Sequence, residues 1–325
     1  MGCANKGKDN DSPSDKNDST SDNRYPFTGE YTDNAVDNRA VAVMVSNQVQ
    51  ARPQTGLQEA DIIFEFLTEG NITRYMALYQ SEFPEKIGPV RSAREYFFTM
   101  ADNYNAIYMY QGAANFVNEM IEERGIEHIQ GLHYDDDGKV FVREDFRVTP
   151  HNSYVISNGI YDVAKEKGYE TTFDYESLPF LDEDELVAGE DANYAKIDYY
   201  GGKPVMEFMY DEASKKYSQT MDGELTADLE TEEAITVDNV FIVEADHEVI
   251  DKEKRRKIDI ESGGKGYLLR HGKVEEVEWK NENGYIIPVS DGKTVPFVIG
   301  NTWITFVQTD PEPGVVEQVV IDQVE

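Results

Sequence analysis

Two arginines flank the start of a predicted helix in the segment Gly88–Glu95. Arg91 and Arg94 lie on either side of Ser92, which has the spacing of a capping box with Glu95. Free N–H groups and the dipole at a helix N-terminus favour an anion, and two guanidinium groups add donors for a carboxylate or a phosphate. The segment therefore predicts an anion site, unless each arginine pairs with a nearby carboxylate and only fixes the loop.

A second candidate site lies in a hairpin that we predict between the runs Asp61–Leu67 and Thr73–Tyr79. With Gly70-Asn71 as a two-residue turn, period-two alternation places four side chains on one face: Glu65, Leu67, Glu69 and Arg74. Two carboxylates near an arginine suit acid–base chemistry and are the apparatus of glycoside cleavage. Glu65 and Glu69 are thus candidate catalytic residues and Arg74 a candidate ligand contact, the alternative being a solvated face with weak salt bridges.

His151 and Asn152 form a third candidate, as possible ligand contacts in a polar loop. A histidine there could transfer a proton near neutral pH, although an ordinary loop histidine has the same pattern. Asp135–Gly138 followed by Glu144 only half-matches a calcium loop, because His133 stands at its first position, and we read it as a turn. We predict neither a metal site nor a cofactor.

The single cysteine, Cys3, lies in Met-Gly-Cys ahead of a polar tail. This arrangement looks like the end of a bacterial lipobox, in which glycine precedes the lipidated cysteine, and we expect the precursor to carry an apolar signal segment before it. Residues 1–24 contain too few apolar side chains to fold and predict a disordered tether. The alternative is an ordinary flexible N-terminus with a chance cysteine.

The charge of the chain excludes several classes of protein. The 325 residues carry 64 acidic and 30 basic side chains, a formal net charge of -34. Nucleic-acid phosphates would be repelled, and adhesion to anionic lipid through a basic face is equally disfavoured. We therefore expect no nucleic-acid partner, and contact with a membrane only through a lipid on Cys3.

The pattern of apolar runs and turns changes along the chain and predicts an α+β protein of two modules. Residues 25–180 alternate strands and helices, which indicates an α/β-type module with a mixed sheet and flanking helices. Residues 181–325 show short strands between glycine turns, which indicates a mostly-β module, a barrel or a sandwich. A charged stretch from Leu181 separates the two.

Short motifs occur in both halves of the chain: Gly70–Tyr75, Ile87–Arg94, His151-Asn152, Tyr210-Asp211, Tyr217, Asp222-Gly223, Gly264–Tyr267 and Gly300–Ile304. Taken together, these motifs resemble the YerB-like lipoproteins of Gram-positive bacteria, a family of unknown function with N- and C-terminal modules. The resemblance covers residues 25–325. One departure is Gln219, where the family pattern has a basic residue.

The resemblance implies a lipid-anchored location on the outer face of the cytoplasmic membrane, and it supplies no activity. We expect an envelope protein that binds an anionic cell-wall component, such as a peptidoglycan peptide or a lipid-linked precursor, or a partner protein. Arg74, Arg91 and Arg94 would contact the anion. The alternative is a cell-wall glycan-cleaving enzyme that uses Glu65 or Glu69.

Overall fold

Strands carry most of the regular structure of the chain. The computed structural model describes residues 1–2, 23–183, 185–311, 313 and 315–324, with 41% strand and 11% helix. The helices are α1 (Glu95–Asn103), α2 (Asn115–Glu123) and α3 (Ile160–Glu166), with short 3-10 turns at Val49–Ala51, Gly131–His133 and Ser157–Gly159. The strands are β1 (Asn23–Arg24), β2 (Tyr31–Thr32), β3 (Val41–Ser46), β4 (Ile62–Leu67), β5 (Thr73–Tyr79), β6 (Lys86–Ile87), β7 (Ile107–Tyr110), β8 (His128–Gln130), β9 (Phe141–Arg143), β10 (Ser153–Ile156), β11 (Glu190–Asp191), β12 (Tyr194–Asp198), β13 (Val205–Asp211), β14 (Lys216–Met221), β15 (Glu224–Leu225), β16 (Thr236–Val237), β17 (Asn239–Ala245), β18 (His247–Val249), β19 (Arg256–Ile258), β20 (Gly264–Arg270), β21 (Lys273–Glu282), β22 (Tyr285–Ser290), β23 (Lys293–Thr294), β24 (Thr302–Gln308) and β25 (Val319–Asp322).

A twelve-stranded sheet is the framework of the protein. Its main path runs β23-β22-β21-β20-β17-β24-β4-β5-β3-β7-β8, and β11 pairs with β21. The central strands β3, β4 and β5 are buried at every position. Continuous apolar runs are typical of strands that are covered on both faces, so the sequence of these strands accounts for their place in the middle of the sheet.

Two layers cover this sheet. On one face, Phe97 and Phe98 of α1 pack with Phe64, Phe66 and other residues in one apolar cluster. On the other face, Ile160 and Val163 of α3 and the inner side of a second sheet, β15-β14-β13-β12-β25, belong to another cluster. The two sheets pack face to face, and no set of the described strands closes into a barrel, so the barrel option for the C-terminal module is wrong.

The direction of the strands gives the large sheet one edge at which six parallel strands end. β17, β24 and β4 are parallel neighbours, as are β3, β7 and β8, and β5 runs antiparallel between β4 and β3. All six parallel strands therefore end at the same side, which we call the carboxyl edge. Ligands of α/β proteins bind outside the carboxyl ends of parallel strands, so this edge is the first place to look for a site.

Both predicted strands of the hairpin are present, and the predicted helix start is wrong. The run Thr73–Tyr79 is a strand with the expected limits. The first helix begins at Glu95 and not at Ser92, Arg94 is its N-cap, and no side chain caps it, because segment 88–94 is held to the strand ends instead. No helix among the described residues is both long and apolar enough to cross a bilayer.

Candidate functional site

The segment that carries Arg91 and Arg94 crosses the carboxyl edge. Its backbone is fixed to two parallel strands: Arg91 N–H donates to Met44 O of β3 (3.0 Å), and Gln111 N–H, just past β7, donates to Arg91 O (3.0 Å). Ser46 N–H also donates to Pro89 O (2.9 Å). These bonds place both arginines of the predicted anion site next to the ends of β3 and β7.

Glu69 lies between two of the predicted arginines. Its carboxylate forms an ion pair with Arg94 and lies 3.5 Å from Arg74 Nη2. Arg74 also donates from Nη1 to Ser92 O at 2.7 Å. Arg74 is 4% exposed, and burial lowers the pKa of both arginines. One carboxylate thus serves two guanidinium groups, which leaves local positive charge.

Arg91 has a different environment. Its Nη1 donates to Pro150 O (3.4 Å) and its Nη2 to Gln48 Oε1 (3.3 Å), so it forms no ion pair with the described carboxylates. Burial, followed by the charge of Arg74, lowers its pKa to about 10, so it remains charged at neutral pH. Its Nε is buried and has no hydrogen-bond partner among the described residues. A buried unsatisfied donor is costly, and an anion oxygen would satisfy it.

His151 belongs to the same group. The side chain is 8% exposed, and its buried Nδ1 has no hydrogen-bond partner in the described chain. Burial lowers its pKa below 6.5, and Arg91 and Arg147 lower it further. Arg91 and His151 are therefore near neighbours, and each has a buried nitrogen without a hydrogen-bond partner among the described residues.

Ser92 and Asn152 support their neighbours. Ser92 contributes its carbonyl to Arg74. Asn152 Oδ1 accepts from Arg143 Nη1 at 2.8 Å and from Thr149 Oγ1 at 3.3 Å. Its side-chain oxygen is already used in fixing the loop around His151, so the structure places both residues beside the arginines in positioning roles.

Glu65 does not join this group, and the predicted hairpin register is wrong. The loop spans residues 68–72, so Arg74 pairs with Phe66 and Glu65 pairs with Tyr75. Glu65 therefore points to the opposite face from Arg74. It is fully buried, accepts from Trp303 Nε1 (3.1 Å), and has its pKa raised to about 7 by burial. Glu65 and Glu69 do not form the facing pair on which the glycan-cleaving alternative was based, and that activity stays a prediction.

Sequence reasoning missed three contributors to the site. Gln48 holds Arg91, and its position just after a buried apolar run was a usable signal, because strand ends meet at one edge. Tyr200 and Arg256 of the C-terminal half donate to Gly70 O and fix the loop that bears Glu69. No local pattern reveals these two contacts, because they join residues more than a hundred positions apart.

Metal binding finds no support in the described part of the chain. No group of three or more His, Cys, Asp or Glu residues there is arranged to hold a metal ion. Asp137 accepts the backbone N–H groups of Lys139 and Val140, as an Asp-Gly turn requires. Cys3, the predicted lipidation site, lies outside the described residues.

The fold and the site belong to a two-part family. Residues 27–170 match the N-terminal domain, and residues 195–304 the C-terminal domain, of the family described as "Protein of unknown function (DUF3048)". The chain belongs to this family, which confirms the resemblance noted in its sequence motifs.

A relative and a solved structure extend this result. The chain is 44% identical over 287 residues to "Putative lipoprotein YerB" of Bacillus subtilis (strain 168), covering 87% of this chain and 86% of that protein. The crystal structure of YerB protein from Bacillus subtilis matches with a TM-score of 0.83 at 40% identity, over 92% of this chain and 99% of that one. The name of this relative gives no ligand and no reaction.

Proposed function

We propose that this protein is a lipid-anchored, extracytoplasmic binding protein of the cell envelope, and that the carboxyl edge binds an anionic cell-wall component. Arg91 and His151 contact the anion, while Arg74 and Arg94 supply the surrounding positive charge. The observation that carries the proposal is the pair of buried, unused nitrogens on Arg91 and His151.

Electrostatics supports an anionic ligand at this edge. A protein with a net charge of -34 repels anions over most of its surface. Arg91 has no ion-pair partner among the described residues, and Arg74 and Arg94 share one carboxylate. Charge-assisted hydrogen bonds from arginine are among the strongest polar contacts in proteins. A peptidoglycan peptide, with several carboxylates, is the ligand class that this site fits.

The lipid anchor rests on two observations. Cys3 follows glycine as in a lipobox, and the 44% identical relative is named a lipoprotein. We expect the parent precursor to incorporate radiolabelled palmitate and the Cys3→Ser precursor to incorporate none, because serine offers no thiol for the lipid. No label on the parent protein, or equal labelling of the two, would contradict the anchor.

Calorimetric titration with a soluble disaccharide-peptide fragment of peptidoglycan tests the binding site. We expect Arg91→Gln to weaken binding about tenfold or more, because a charged hydrogen bond contributes about 1.5–3 kcal/mol. Arg124→Gln is the matched control, since Arg124 is exposed and paired with Glu95 on the helices. Equal affinity of the parent and Arg91→Gln would overturn the proposal.

A further inference from the structure

Two neighbouring loops at the carboxyl edge present apolar side chains to solvent. Loop 47–53 follows β3, and loop 144–152 joins β9 to β10. Arg147 ties them together, because it donates from Nη1 to Gln50 O (3.2 Å) and from Nη2 to Pro53 O. We call them the paired loops. Their apolar side chains are far from buried: Val49 is 65% exposed, Phe146 58% and Val148 78%.

Arg147 is a cation of the paired loops that has no carboxylate partner among the described residues, whereas Arg52 pairs with Asp222 at 3.3 Å. In that part of the chain Arg147 donates to the two carbonyls, and its guanidinium lies 5.6 Å from the centre of the Phe146 ring. Arg91 reaches between the loops to Pro150 O. Of the acidic groups nearby, Glu144 pairs with Lys86, and Asp145 is exposed on the same loop. Apolar tips beside arginines thus form one amphipathic patch.

The rest of the carboxyl edge continues this apolar character. Seven of the fourteen exposed large apolar residues in the described chain lie on segments at this edge. Besides the three of the paired loops, they are Phe116, Leu132, Val249 and Ile250. Exposed apolar groups concentrated in this way mark a surface that contacts a protein or a membrane.

We propose that the paired loops are a second membrane contact. Val49, Phe146 and Val148 insert into the headgroup region of a phospholipid bilayer, and Arg147 binds a lipid phosphate. Apolar tips flanked by arginine suit this boundary, where rings and aliphatic groups enter the lipid and charged heads stay at the phosphates. The net negative charge of the whole chain is not decisive, because charges beyond about 8 Å are screened at physiological salt.

The sequence length ahead of the described domain permits this orientation. Asn23 lies near the opposite edge of the sheet, since Thr28 O accepts from Gly300 N–H just before β24. The strands span about 23 Å, and the roughly 20 residues from Cys3 to Asn23 reach up to about 70 Å. An anchored domain can therefore turn its carboxyl edge to the same membrane. Only this step rests on the anchor of the proposed function.

Vesicle binding by the anchor-free Cys3→Ser protein tests the inference. The probes are phosphatidylcholine vesicles with and without phosphatidylglycerol, in sedimentation at physiological salt. We expect binding that phosphatidylglycerol strengthens, and a partition coefficient at least about tenfold lower for Phe146→Ser/Val148→Ser, because two apolar side chains no longer enter the lipid. Met209→Ser/Leu225→Ser, which alters exposed residues of the second sheet, is the matched control and should bind as the parent does.

Tryptophan fluorescence gives a second test, which detects insertion of the paired loops directly and does not rely on a variant that loses binding. Both natural tryptophans, Trp279 and Trp303, are buried. On addition of vesicles, the fluorescence emission of a Phe146→Trp variant should shift to shorter wavelength and be quenched by brominated lipid. The emission of Leu225→Trp should change in neither way. No vesicle binding by the Cys3→Ser protein, or equal loss in the loop variant and the control, overturns the membrane contact. Phe146→Ser/Val148→Ser should still bind the peptidoglycan fragment, because that binding depends on Arg91. The membrane contact and the proposed function can therefore fail separately.

Discussion

Arg91 differs from the other two arginines of the site in the partners that it has. Arg74 and Arg94 share Glu69, whereas Arg91 donates, within the described part of the chain, only to neutral oxygens of Gln48 and Pro150. A charged group with neutral partners keeps more of its capacity to attract an anion. At the scale of residues, Arg91 with its neighbour His151 is the part of the edge that is ready for a ligand.

His151 should make ligand binding depend on pH. Burial and the neighbouring arginines hold its pKa below 6.5, so it is neutral in the free protein at pH 7. A bound anion favours the protonated form, and binding therefore tightens as the pH falls from 7 through the pKa of His151 in the complex, by about tenfold for each unit by which the ligand raises that pKa. Titrations of the peptidoglycan fragment across this range should show the effect, and His151→Gln should remove it. The same pH dependence in His151→Gln would rule out His151 as its source.

Glu65 should lower stability as the pH rises. Burial raises its folded-state pKa from 4.5 to about 7, so the native state binds more protons than the unfolded state between these values. The free energy of unfolding then falls with rising pH across this window. Glu65→Gln cannot ionise, and it should avoid a loss of up to about 3 kcal/mol.

Denaturant titrations at each end of the window measure this difference. Asp61 has its pKa raised in the same way and contributes to both proteins, so only the difference between the parent and Glu65→Gln isolates Glu65. A constant difference from pH 4.5 to above 7 would show that Glu65 does not titrate as described.

At the scale of elements, segment 88–94 positions the arginines, and Gly88 fits tightly within it. A Cβ at Gly88 would lie 2.7 Å from Tyr154 Cδ1 and 3.1 Å from Ser153 O. Gly88→Ala must therefore shift the segment or β10, at a cost of about 1–3 kcal/mol. We expect lower thermal stability and weaker binding of the peptidoglycan fragment, because Arg91 and Arg94 move with the backbone.

Gly138→Ala provides the control for this change. Gly138 also has a positive φ, of 67°, but a Cβ there meets nothing within 4 Å, so only the backbone cost of about 1 kcal/mol applies. Ligand affinity should stay at the parent value in Gly138→Ala. If Gly88→Ala binds as well as Gly138→Ala, the close packing of segment 88–94 does not position the site.

The elements were easier to predict than the pairings between them. Buried strands such as Thr73–Tyr79 follow from β-branched and aromatic runs, and the structure has that strand with the same limits. The register of the hairpin around Gly70-Asn71 could not be predicted in this way, because the same residues can form a five-residue loop or a two-residue turn. A shift of one position in the pairing moves Arg74 to the other face of the sheet. Arg91 and Arg94 could be proposed from the sequence because their motif is local, whereas Gln48 and Tyr200 reach the candidate site through tertiary contacts.

At the scale of the whole molecule, one sheet joins the two halves of the chain. β24 of the C-terminal half pairs in parallel with β4 of the N-terminal half. The two family domains nevertheless match separate parts of the chain, residues 27–170 and 195–304. Trp303 of β24 also donates to Glu65 of β4. Long-range parallel pairing leaves no local pattern, so the sequence predicts modules at 25–180 and 181–325 without predicting the sheet that joins them.

The shared sheet predicts cooperative unfolding. Separating the halves would expose the edge of β4 and its apolar neighbours, so we expect a single calorimetric transition for the full chain. Residues 25–180 expressed alone should lack a cooperative transition, since β17 and β24 are missing. Two resolved transitions in the full chain, or a cooperatively folded N-terminal fragment, would instead support independent modules.

The most direct test of the anion site observes the arginine nitrogens themselves. In heteronuclear NMR spectra of the Nε–H groups, with signals assigned through Arg91→Lys, Arg94→Lys and Arg124→Lys, we add the disaccharide-peptide fragment of peptidoglycan. The account predicts a saturable shift of the Arg91 Nε–H signal, a smaller shift for Arg94 and none for Arg124. An unchanged Arg91 signal at ligand concentrations that saturate binding would contradict the assignment of the carboxyl edge as the anion site.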